Sequence, residues 1–257
     1  MSKRQKFVLA SLLLSLGLLS TQLVPVDSFL RYVAIIGLFV VSYFVSAWAL
    51  FGDLKGVEWL IVVPFPGLYA SSVALFYFLL PEALISRLVI FFFFGLGMYA
   101  LYLTSNIYSV AAIRTIQLLR AAHAVGFMMA LVTSLFFYNT IFSFKFPFFI
   151  NAILVFLVSF PIVLNGLWSV RLEPTLSGQV LSYSLILSFV LTEMAVAISF
   201  WPVTVWIASL FLVTGMYVLL GLMQHQLQDR LFKNTLREYV SVGVFVTVVM
   251  MVLTQWK

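Results

Sequence analysis

The 257-residue chain contains no cysteine, and only nine per cent of its residues are charged. The first absence removes disulfides and thiolate metal sites from consideration. The second removes the soluble globule, which carries roughly 25% charged residues and needs them to cover its core. With only two histidines, His123 and His225, a histidine-rich metal cluster is excluded as well. Zincin, nucleophile-elbow, Walker and dinucleotide-binding signatures are missing, and no pair of carboxylates stands close in sequence. Composition gives no cofactor signal.

What is present is apolar. Hydrophobic residues make up 64% of the chain, 27 residues are Phe, and the mean hydropathy is +1.16. This composition defines an all-α polytopic integral membrane bundle, with no polar stretch long enough to form a water-soluble domain. The net charge of +6 comes from bases scattered between apolar runs, so it reads as a membrane orientation signal and not as a nucleic-acid surface.

Segments of about 20 apolar residues fall near 7–24, 30–51, 57–80, 84–104, 121–142, 148–169, 177–200, 202–223 and 239–256, which predicts nine spans. Turn formers such as Pro25, Gly52, Pro81, Pro147, Pro174 and Pro202 separate them. Lys3-Arg4-Gln5-Lys6 ahead of an apolar run also describes a signal peptide, but no small-x-small cleavage site follows, so a retained anchor helix is expected. Placing the N-terminus inside puts ten of the fourteen bases on the inner face. The outer face keeps Arg31, Arg87, Lys145 and Lys257. The expected location is the cytoplasmic (plasma) membrane, with the N-terminus inside and the C-terminus outside.

Gly97-Met98-Tyr99 recurs as Gly215-Met216-Tyr217, 118 positions later, each followed by a basic connector. Asp53-Leu54-Lys55 and Arg171-Leu172-Glu173 keep the same offset. The pattern suggests a single transmembrane domain built as an anchor helix (1–29) and two four-helix units (30–146 and 147–257). Because four spans is an even number, such copies would be parallel repeats. A membrane helix ending in the positive connector that topology demands would give the same tripeptide without duplication.

Few residues carry candidate chemistry. Glu193 is the one acid placed by sequence well inside a span, at the edge of a small-residue stripe of Ser177, Ser184, Ser188, Thr192, Ala195 and Ser199. Either it lines a path or it is a structural carboxylate paired with a base such as Arg87. Pro64, Pro66 and Gly67 predict a kinked or broken third span, a feature that exposes carbonyls in transporters and also occurs as a plain kink. Pro161 with Asn165 and Gly166 marks a second distortion. These residues give the substrate-site candidates Glu193, Pro64, Pro66, Gly67 and Asn165. Arg114, Arg120, Arg230, Lys233 and Arg237 are candidates for anionic lipid head groups, with Lys233, Arg237 and Asp229 expected on an extension of the eighth span.

Three functional classes remain. The first is a transporter or flippase-like carrier of a small amphipathic or lipid-like substrate, the second a non-catalytic membrane subunit or scaffold, and the third an intramembrane enzyme using Glu193 or His123. Membrane lipids are the expected partners, together with a membrane protein or a second copy of the chain. The charge partition predicts that a reporter fused after Lys257 is accessible from outside and one before Met1 from inside. A C-terminus read out inside would require an even number of spans.

Overall fold

A computed structural model describes residues 2–22, 29–52, 54, 56–80, 83–111 and 117–254. These residues form helices and connectors, with no strand among them. In chain order the helices are α1 (Lys3–Thr21), α2 (Phe29–Leu50), α3 (Glu58–Ile61), α4 (Pro64–Tyr77), α5 (Leu84–Ala111), α6 (Leu119–Ser143), α7 (Phe148–Arg171), α8 (Gly178–Ser199), α9 (Val205–Leu227) and α10 (Lys233–Leu253). Counting α3 and α4 as one span, Glu58–Tyr77, eight are long and apolar enough to cross a membrane. Helix α1 is not among them, because its apolar part begins only at Phe7.

Two compact units divide inside α6, at Met129 and Ala130. The sequence expectation put the division at 146/147 and set α1 apart. The two halves of α6 bond to different helices: in the first half the Tyr108 hydroxyl of α5 donates to the Ala122 carbonyl at 3.0 Å. In its second half Tyr138 shares a 2.7 Å hydrogen bond with Ser159 of α7.

In the first unit α1 is an integral helix. Ser2 and Gln5 close a capping box at its start, which satisfies two amides that would otherwise be orphaned. One stripe, Phe7, Ala10, Ser11, Leu14, Ser15 and Leu18, is buried against α2 and α5. The Phe7 ring stacks on Tyr102 at 5.9 Å, and Tyr102 shares a hydrogen bond with Ser46 of α2 at 3.2 Å. Helix α4 lies against both α2 and α5 and is buried on nearly all sides. Its small residues Gly67, Ala70, Ser71, Ser72 and Ala74 allow that depth.

The second unit is organised around α7 and α8. The predicted stripe on α8 is the contact: Ser184, Ser188 and Ala195 have no exposed surface. Each hydroxyl along it is spent locally, Ser184 donating to the Val180 carbonyl, Ser188 to Ser184 and Thr192 to Ser188. These three hydroxyls therefore need no partner across the interface, and the helices can approach closely there. Helix α9 packs on α7, α8 and α10. The Trp201 indole N–H donates to Thr254 at 2.8 Å and ties the α8–α9 connector to the end of α10.

The two Gly-Met-Tyr stretches share one role within their units. A side chain at Gly97 would strike the Tyr69 hydroxyl of α4, and one at Gly215 would lie 2.6 Å from the Met194 methyl of α8. Met98 and Met216 are fully buried beside them. Each glycine is the socket that receives a side chain of the preceding helix. Tyr69 is a rigid ring stacked on Phe94, whereas Met194 is a flexible tip. Gly97→Ala is therefore expected to lower thermal stability by about 1–3 kcal/mol and Gly215→Ala by less. Gly37→Ala meets nothing within 4 Å, so it should raise stability by about 0.5–1 kcal/mol through reduced backbone entropy. Thermal unfolding in detergent measures all three.

Candidate functional site

The third span breaks where sequence placed the break. The α3 segment ends at Ile61, Val62 and Val63 form a turn, and α4 begins at Pro64. Pro64 has no N–H to donate back, so the next bond is a tight one from Phe65 N to the Val62 carbonyl at 3.3 Å. Val62 and Val63 keep right-handed helical angles, so the chain kinks without unwinding. Pro66 and Gly67 are buried, and a Cβ at Gly67 would lie 3.0 Å from the Phe39 ring of α2. Those two residues serve close packing of α2 on α4.

Glu193 is placed differently from expectation. It is exposed on α8, turned away from the buried stripe that includes Ala195 and the partly buried Thr192. One residue of helix advances the side chain by 100°, and that step carries Glu193 from the stripe's edge to the outside. Pro64, Pro66 and Gly67 belong to the first unit and Glu193 to the second. Among the described residues the deeply buried acid is Glu58, the first residue of α3, which is 3% exposed. The sequence reading passed over it because it stands beside a polar turn.

Arg31, counted in the sequence only for its charge, is also buried. Its guanidinium lies 3.8 Å from the Phe78 ring centroid and donates to the Gln22 side-chain oxygen at 3.3 Å. Cation–π contact offsets part of the cost of burying the charge. A basic residue following a turn gave no sign that an aromatic from α4's end would cover it.

The asparagines act between and within helices. Asn151 donates to the Phe146 carbonyl at 3.2 Å and to Ser199 of α8 at 3.3 Å. Asn165 is buried in α7, which continues through Pro161 as one helix. The neighbouring Gly166 carbonyl accepts from Gln224 of α9 at 2.9 Å and from Ser169 at 2.8 Å. The expected distortion is thus a site of α7–α9 contact.

Of the basic candidates, Arg120, Arg230, Lys233 and Arg237 are exposed, and Arg114 lies outside the described residues. Lys233 and Arg237 are not on an extension of the eighth span. Helix α9 ends at Leu227, and Asp229 takes a left-handed φ of 54° that turns the chain. Lys233 and Arg237 then form the opening turns of α10. Among the described residues no three of His, Cys, Asp and Glu stand together as metal ligands.

The feature that sequence did not reveal is a groove of 470 Å³ in the second unit, between α8, α9 and α10. Val190 and Met194 form one wall, Phe211, Gly215 and Val218 the floor, and Val240 to Met251 the other wall. Its two hydroxyls are spent on their own helices, Thr214 on the Leu210 carbonyl and Thr247 on that of Gly243. Val244 and Val248 are half exposed, so the groove is open along its side. No pattern finds it, because its lining comes from three helices separated in sequence.

A bundle with eight membrane-length apolar helices and an apolar groove is the build of a multi-pass membrane protein. Residues 59–253 match the family described as "Protein of unknown function (DUF5656)", and the chain belongs to it. No curated protein and no solved structure matches the chain.

The exposure of Glu193 yields a prediction. Glu193→Leu is expected to fold and to unfold at the same or a higher temperature, because a carboxylate on an outward apolar face is the costlier side chain. A marked drop in melting temperature would mean that the carboxylate is paired.

Proposed function

We propose that this protein is a carrier of lipid-like membrane amphiphiles, and that it holds their hydrocarbon chain in the groove between α8, α9 and α10. The observation that carries the proposal is the groove itself. Its volume of 470 Å³ is in the range of ligand sites, about 300–1,000 Å³. Its lining is apolar, and its open side admits a chain from the surrounding bilayer. Glu193 and the Pro64–Gly67 kink have no part in this site.

The wider reading follows the same line. Helix α1 is taken as a ninth span, supported by its buried stripe running from Phe7 to Leu18. The chain then enters from the inside and ends outside, in the plasma membrane, as the distribution of bases suggests. The duplication is supported by matched packing: α2, α4 and α5 contact one another as α7, α8 and α9 do. The equivalent sockets at Gly97 and Gly215 add to it.

Filling the groove tests the carrier reading. Gly243 lies in the groove wall, and a Cβ added there would meet only Val218, at an ordinary contact distance of 3.4 Å. Gly243→Leu should therefore fold normally and lose bound lipid, read by native mass spectrometry, and should abolish lipid movement between reconstituted leaflets. Unchanged lipid occupancy with intact folding would favour a membrane scaffold, for which packing surfaces suffice.

A further inference from the structure

The groove has a charged end. On α10 it is lined by Val240, Gly243, Val244, Thr247, Val248 and Met251. At about 100° per residue these positions share one side of the helix, and Lys233 and Arg237 fall on that side too, roughly 40° apart. The two bases precede Val240 by about two turns and one turn. Both are exposed, and neither belongs to an ion pair among the described residues. Arg230 lies exposed just before them, and the first turn of α10 contains no acid. The nearby carboxylates are off this face: Glu238 stands roughly 140° round from Lys233, and Asp229 lies in the connector. The positive pole of the α10 dipole adds to the same end.

Length is the second observation. From Val240 to Met251 the helix rises about 16 Å at 1.5 Å per residue, close to half of the ~30 Å hydrocarbon core. That is the depth of one leaflet, so a chain lying here has its head at the level of the α9–α10 connector.

We infer that the ligand is an anionic phospholipid, with its phosphate held by Lys233 and Arg237 and one acyl chain laid along α10 from Val240 to Met251. This rests on the groove reading and adds the charge and position of the head group. A zwitterionic lipid of the same chains fits the groove equally well and gains nothing net from the two bases.

The test is native mass spectrometry of the full chain in detergent, titrated with phosphatidylglycerol and phosphatidylcholine of identical acyl chains. At about 1 kcal/mol per base, a preference of roughly tenfold to 30-fold for phosphatidylglycerol is expected. The double variant Lys233→Gln/Arg237→Gln should bring the two lipids to near parity while phosphatidylcholine still binds. Arg171→Gln, at the exposed end of α7, should leave the preference unchanged. Equal binding by the native chain, or a preference that survives the double variant, overturns the head-group assignment and leaves the groove standing. A preference lost equally in Arg171→Gln shows a diffuse surface charge and overturns it also. Failure of both lipids to bind the native chain sinks the groove reading itself.

Discussion

Inside a bilayer a polar group has no water to turn to, so each one must be satisfied within the protein. In this chain that constraint is met mostly within single helices. Ser11, Ser15, Ser134, Ser184, Ser188, Ser199 and Ser209 donate to the carbonyl four residues back. A serine so satisfied acts as a small, nearly apolar residue, and helices bearing a line of them can close on a neighbour. The tight contacts of α1 with α5 and of α7 with α8 depend on this.

Close approach then fixes where large side chains go. Glycines become sockets, as Gly97 is for Tyr69 and Gly215 for Met194, and leucines settle on gaps, as Leu220 does at Gly166. A few longer-range bonds set register: Tyr138 to Ser159, Asn151 to Ser199, Gln224 to the Gly166 carbonyl and Trp201 to Thr254. Each adds a directional contact to van der Waals packing, which by itself tolerates sliding.

Packing is not uniform through the second unit. Helices α7 and α8 meet along their length, while α10 rests chiefly on α9 and buries only Met250 in its helix. The groove is the consequence. Where α10 departs from α8, Gly215, Gly243, Thr214 and Thr247 are too small to fill the space. The space lies beside the α7–α8 core and not within it.

The all-helical class, the apolar spans and the third-span kink were legible in the sequence because each follows from local chemistry: hydropathy over 20 residues, and a proline that cannot donate. The α8 stripe was legible for the same reason, since 3.6-residue periodicity marks a face. Which face meets what is a tertiary matter. Glu193 and Thr192 are neighbours in sequence, and a rotation of one residue separates outward from inward. Arg31 and Glu58 stand at the starts of predicted spans, and it is the folded chain that buries them. The groove drew its walls from three helices and its charged end from the start of α10, which the sequence had assigned to an extension of the span before it. Local composition determined what could cross a membrane, and only the meeting of distant helices decided which residues were buried, which faced out and where a ligand could lie.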